Sequence, residues 1–231
     1  MSMEQNFLAT EQQAETPEFL KSEPEEIIPR FLSEKGADTS LGGDVVVNRG
    51  ALRGTAVHRA MECMNFLPIL NFCESTPEKM KAEQPEKLQG QMEEYVRDEL
   101  HRMLDSKLLT PEMMELIQVE TLITFMMNPV ALEMARAQER GQLYREKPFI
   151  MDHQGVLVQG IIDVFWIKDD TLTVLDYKTD RVKKSEELVL RYQTQLELYK
   201  DALGRNFGTP ETPMKTRALI YSFACKNVVE I

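Results

Sequence analysis

Two aspartates and a lysine interrupt a stretch that otherwise reads as buried β-structure. Between Gly160 and Thr179, in GIIDVFWIKDDTLTVLDYKT, residues Asp163, Asp176 and Lys178 stand among runs of Ile, Val, Phe, Trp and Leu that flank the polar segment Lys168-Asp-Asp-Thr171. An antiparallel hairpin about that segment, closed by a two- or four-residue loop, pairs residues whose numbers add to 339, and Asp163 with Asp176 is one such pair. Directly opposed side chains have Cβ atoms about 4.5 to 5.5 Å apart. The strand period of two then brings Lys178 to the face of Asp176 and turns Tyr177 away. A three-residue loop would undo this arrangement. Both faces of the hairpin are otherwise apolar, as expected for central strands covered on both sides. Two like charges in such a place are costly unless a proton, a cationic side chain or a metal ion compensates them. A hard divalent cation with oxygen ligands meets that need. A competing structural reading makes Asp176 and Lys178 a plain ion pair and Asp163 a strand-end cap, and an isolated Asp-x-Lys does not separate the two.

Further polar groups lie on elements that can reach the same place. In Gly54-Thr-Ala-Val-His58, the apolar positions Ala56, Val57, Ala60, Met61 and Met64 recur at helical spacing, predicting a helix that starts near Gly54-Thr55 with Thr55 as N-cap. His58 falls in its first turns, either as a helix-surface histidine or as a ligand. A helix over Ser185–Leu203, ended by Gly204, carries Tyr192, Gln195 and Tyr199. The last two share a face, and an amide on that apolar stripe needs a partner if buried. Arg181, Lys183, Lys184 and Arg191 follow the lysine and read most simply as a solvated cluster, while also being the best local candidates for phosphate contacts. His101 and His153 read as ordinary surface residues.

The elements that must position these groups alternate in type. Gln91–Leu104 and Pro111–Arg140 are predicted helical, the latter divided at Asn128-Pro129, with Ser75–Gly90 a solvated link. Strands are expected at Leu143–Met151, Val156–Lys168, Leu172–Thr179 and Thr216–Ala224, the first two joined by the turn Asp152-His-Gln-Gly155. Residues 1–40, rich in Glu, Gln, Ser and Pro, read as a connector, which leaves 41–231 as one domain. The 231 residues carry a net charge of -11, opposite to the basic footprint of an autonomous nucleic-acid binder. Three separated cysteines, Cys63, Cys73 and Cys225, supply neither a disulfide framework nor the four thiolates of an iron-sulfur cluster. No apolar window approaches a membrane span, and the acidic N-terminus lacks the basic and apolar segments of a secretory signal, so a cytoplasmic protein is expected. A phosphate-cradling GxxxxGK[ST] is absent, so no ATP motor is encoded here.

Four blocks in order, GTAVH (Gly54 to His58), GIID (Gly160 to Asp163), LDYKTD (Leu175 to Asp180) and YQTQLELY (Tyr192 to Tyr199), give the chain a strong resemblance to RecB-type nucleases of the PD-(D/E)XK superfamily. More closely, it resembles the C-terminal nuclease domain of the A subunit of AddAB-type ATP-dependent helicase-nucleases, over roughly residues 30 to 231. The resemblance implies an α/β fold, a central mixed sheet flanked by helices, here with a helical N-terminal half. It implies a Mg²⁺-dependent exonuclease (Mn²⁺ as substitute) in which His58, Asp163 and Asp176 are metal ligands and Lys178 positions or deprotonates the attacking water. Gln195, Tyr199 and Tyr192 become supporting or DNA-contacting residues, and Arg145-Glu-Lys-Pro-Phe149 matches the preceding strand, with Glu146 in a supporting role. The implied partners are DNA, a helicase motor region of the same full-length chain and a B subunit, in double-strand break repair by homologous recombination. The missing thiolates fit the A-type subunit better than the cluster-bearing B-type. Two other readings share the motifs: a non-catalytic docking or DNA-binding module on a nuclease fold, and a stand-alone RecB-like exonuclease.

Overall fold

The computed structural model describes residues 49–74, 85–208 and 214–231. The connector expected over residues 1–40 lies outside them. The first helix, α1 (Arg49–Cys63), is followed by α2 (Pro68–Glu74), α3 (Pro85–Asp105), α4 (Pro111–Leu116), α5 (Val119–Met126) and α6 (Pro129–Glu139). Then come β1 (Leu143–His153), β2 (Val156–Lys168), β3 (Thr171–Lys178), α7 (Glu186–Phe207), β4 (Lys215–Ser222) and β5 (Asn227–Glu230).

Local sequence sets most of these boundaries. Thr110 accepts a hydrogen bond from the Met113 N–H and Asn128 from the Val130 N–H, each just ahead of a proline at the first helical position. The expected break at Asn128-Pro129 is present, with a further one at Ile117–Gln118, both in extended backbone, so 111–140 forms three helices. Helix α1 already runs from Arg49, so Thr55 is not its N-cap; the Thr55 hydroxyl donates back to the Ala51 carbonyl. Residues 85–90 belong to α3, so the predicted link is shorter than Ser75–Gly90. Helix α7 runs through Gly204 and ends before Gly208, whose N–H bonds to the Gly204 carbonyl. A short helix, α2, and the four-residue strand β5 are additional; each is brief, and β5 follows a turn in which Lys226 takes φ 55°.

The five strands form one mixed sheet in the order β1-β2-β3-β4-β5, antiparallel except where α7 carries the chain from β3 to its parallel neighbour β4. The β1–β2 hairpin turns on Gln154 (φ 56°) and Gly155 (φ 81°), the two left-handed residues a tight hairpin requires. The β2–β3 hairpin turns on Asp169 and Asp170, with Asp169 at φ 55°, a region short polar residues tolerate. The helical half covers one face, where Val57 and Phe125 cluster with Trp166 and Tyr221 of the sheet, and α7 covers the other, where Leu196 and Leu203 cluster with Phe165 and Val174. Strand β3 lies in the middle and is buried on both faces, as its apolar run predicts.

Two glycines of the sequence motifs owe their place to close approach. A Cβ on Gly160 would stand 2.8 Å from the Phe149 ring, and one on Gly54 would stand 3.0 Å from the Thr179 hydroxyl. The Phe149 ring packs edge-on against Tyr199 of α7, with centroids 5.5 Å apart. A side chain at 160 therefore pushes on α7 through Phe149. Gly160→Ala should lower the unfolding free energy in urea by about 1–3 kcal/mol, the usual cost of overpacking. Combining it with Phe149→Leu should recover a substantial part of that loss.

Candidate active site

The site forms where β2 parts from its neighbours. The β2–β3 ladder keeps the expected register from Lys168↔Thr171 to Val164↔Leu175 and ends there. The β1–β2 ladder pairs Arg145 with Val164 and Lys147 with Ile162 but omits the rung between them, Glu146 opposite Asp163. Glu146 takes φ 46°, a costly backbone conformation for a residue with a side chain. The strand also rolls here: Ile162 packs in the α7 cluster, whereas Val164 and Trp166, of the same alternation, pack in the helical one. Asp163 is thus a partner in neither ladder. Its Oδ2 instead accepts the Tyr177 N–H at 2.9 Å, taking a place a strand carbonyl would fill. The carboxylate reaches into the fork between β2 and β3 from the helical side, and it is not opposed to Asp176 as a ladder pair.

On that side α1 delivers His58. Its Nδ1 lies 3.3 Å from Asp163 Oδ2, and its ring meets Tyr177 edge-on at 6.0 Å. One donor atom each from His58, Glu146 and Asp163 lie within 4.8 Å of one another. A divalent ion spans about 4 to 5 Å between opposite ligands, so this set of two carboxylates and an imidazole fits one hard or borderline cation. Glu146 enters this group directly. The signal was present in the sequence: a two-residue turn at Gln154-Gly155 pairs residues whose numbers add to 309, and Glu146 with Asp163 is such a pair.

On the α7 side lie Asp176 and Lys178, joined at 2.6 Å between Oδ2 and Nζ. Asp176 is 2% exposed and Asp163 4%. Burial pushes the Asp176 carboxyl above the usual carboxylate range, the Lys178 ammonium pulls against that push, and Asp163 adds to it. For Lys178, burial works against the charge, but Asp176 and Asp163 outweigh it and hold the amine above the ordinary lysine value.

Helix α7 fixes that ammonium. The Lys178 Nζ donates to Gln195 Oε1 at 3.1 Å and stands 3.8 Å over the Tyr192 ring, a cation–π contact. The Gln195 amide donates to the Tyr199 hydroxyl at 2.8 Å, which donates to the Ile161 carbonyl at 2.9 Å. The half-buried amide has its partners, and its orientation is set by the chain from Ile161 through Tyr199. Tyr192 also donates to Asp180, which pairs with Arg191, so Arg191 is engaged locally.

The family model of the PD-(D/E)XK nuclease superfamily matches residues 34–229. The chain belongs to the PD-(D/E)XK nuclease superfamily. Among curated proteins, this nuclease domain is 37% identical over 116 residues to the A subunit of the ATP-dependent helicase/nuclease of Anoxybacillus flavithermus, covering 47% of the chain and 9% of that protein. It is 31% identical to the corresponding A subunit from Clostridium perfringens, covering 59% and 12%, and 28% identical to that from Bacillus cereus, covering 88% and 15%. The chain therefore spans a small part of these relatives' length. Within the nuclease domain, no described helix is long and apolar enough to cross a membrane.

A chain of hydrogen bonds runs from the Ile161 carbonyl through Tyr199 and Gln195 to Lys178. Tyr199→Phe removes the acceptor of the Gln195 amide and the donor to Ile161. It should cost about 1 kcal/mol of stability in a denaturant titration. It should also lower kcat more than KM in a nuclease assay, whereas a purely structural role for the hydroxyl would leave both kinetic constants unchanged.

Proposed function

We propose that this domain hydrolyses phosphodiester bonds of a DNA strand with the help of Mg²⁺, for which Mn²⁺ can substitute. The observation that carries the reading is the convergence of His58, Glu146 and Asp163 at the same fork as the buried pair Asp176–Lys178. His58, Glu146 and Asp163 would hold the cation together with Asp176, whose carboxylate Lys178 neutralises in the structure. When bound, such an ion lowers the pKa of water and offsets charge on the phosphoryl group. The Tyr177 N–H keeps Asp163 oriented through Oδ2, and the edge-on Tyr177 ring steadies His58. Lys178, held charged by two carboxylates and aimed by Gln195, stabilises negative charge developing on phosphorus-bound oxygen. Its raised pKa favours a role in positioning and charge neutralisation over one as general base.

The relatives are helicase/nuclease subunits far longer than the chain, which supports a domain working beside a helicase motor of the same full-length protein and a B subunit. In this reading it acts as an exonuclease on strands that the motor feeds to it, in double-strand break repair by homologous recombination. Delivery at high local concentration also explains how a chain of net charge -11 meets a polyanion.

Asp176→Ala should lower Mg²⁺-dependent cleavage of a labelled oligonucleotide about a hundredfold or more, with an unchanged circular dichroism spectrum. Wild-type rates in that variant would remove the assignment. In calorimetry, the Mg²⁺ or Mn²⁺ binding signal should vanish in Asp163→Ala. The raised Asp176 pKa sets the sign of the pH dependence. Protons compete with the cation up to a higher pH than at ordinary carboxylates, so affinity should fall as pH drops through the range above about 4, where a site of unperturbed carboxylates would still hold its ion.

A further inference from the structure

Beside the catalytic fork, on the helical side, lies a groove that the reaction itself does not use. Its walls adjoin two motifs of the site: Arg53 and Val57 precede His58 on α1, and Thr179 and Arg181 follow Lys178. Leu116, at the end of α4, and Phe223, after β4, close the floor with Val57. Val57 and Phe223 are buried, at 4% and 6% exposure.

The charge pattern of this groove is unlike that of the chain. Its lining holds two arginines and no acidic residue, although the protein's net charge is -11. The Arg53 Nη2 donates to the Thr179 carbonyl at 3.2 Å, which ties the arginine to the strand carrying Lys178. Arg181 is exposed and makes no ion pair or hydrogen bond with any described residue. The nearest acid along the chain, Asp180, is occupied by Arg191 and the Tyr192 hydroxyl. Thr179 and Arg181 stand one and three residues beyond Lys178 in the chain.

We propose that this groove is a nucleotide subsite for a single DNA strand, with a phosphate held by Arg53 and Arg181 and the attached base laid on the apolar floor of Val57, Leu116 and Phe223. A guanidinium pair suits a phosphate, whose oxygens accept several hydrogen bonds at once. An apolar floor takes a base only when the base is not paired, since a duplex keeps its bases stacked inside the helix. The exposed Gln118 also lines the groove. The subsite rests on the nuclease reading for its substrate class, and it can be tested without cleavage.

Fluorescence anisotropy of the 231-residue chain, in EDTA and at low ionic strength, measures this directly with labelled oligothymidylate, an abasic strand of equal length and a blunt duplex. Wild-type protein should bind the oligothymidylate most tightly of the three. Arg181→Glu should weaken binding about tenfold and reduce the slope of log Kd against log salt by about 0.7, the contribution of one phosphate on a single strand. Arg181→Lys, which keeps the charge, should retain the salt slope and shows that a loss in Arg181→Glu does not come from misfolding. Equal affinity and slope in wild type and Arg181→Glu, or no wild-type binding at low salt, would overturn the subsite. Equal binding of the thymidylate and abasic strands would overturn the base floor. Absence of Mg²⁺-dependent cleavage with intact strand binding would instead overturn the nuclease reading and leave the subsite standing.

Discussion

Asp163 and Asp176 bring two carboxylates, each almost wholly buried, to one fork in a β-sheet, and the surrounding structure is arranged to tolerate them. Removing a carboxylate from water is expensive, and a second one nearby raises the cost, so each needs compensation. Lys178 supplies a cation to Asp176, the Tyr177 N–H and His58 attend Asp163, and burial still holds the Asp176 carboxyl above its ordinary range. With a converging imidazole and a third carboxylate, the fork offers a donor set of the kind a divalent cation would take.

Several features that look independent follow from keeping that fork open. Strand β2 departs from both ladders at Asp163, and Glu146 across from it accepts a left-handed backbone. Such local departures from regular geometry persist only where the surroundings impose them, and here the sheet is clamped on each face by its own core cluster. Gly160 lets Phe149 lie flat beside β2 so that it can support Tyr199, and Gly54 lets α1 approach Thr179 closely enough to place His58. The amide of Gln195 is tolerated on an otherwise apolar helix stripe because both its ends are bonded.

The two sides of the sheet have divided the work. The helical half supplies the imidazole and the arginine-lined groove, whereas α7 supplies the groups that hold the lysine. The sheet between them is continuous except at the fork, and that opening is where the two sets of side chains meet.

Much of this was legible in the linear order of residues, because short hairpins and helices obey local rules. The hairpin register about Asp169-Asp170, the stripe of α1 from Ala56 to Met61, and the breaks before Pro111 and Pro129 follow from turn chemistry, periodicity and capping. The same register arithmetic on the first hairpin would have raised Glu146 from a supporting residue to a companion of Asp163. What sequence alone could not decide was the departure of Asp163 from the ladder, the true start of α1 before Thr55, the run of α7 past Gly204, and the meeting of Arg53 with Thr179 across more than a hundred residues. Those outcomes depend on packing between elements distant in the chain, where burial and close approach outweigh the local preference of any single residue.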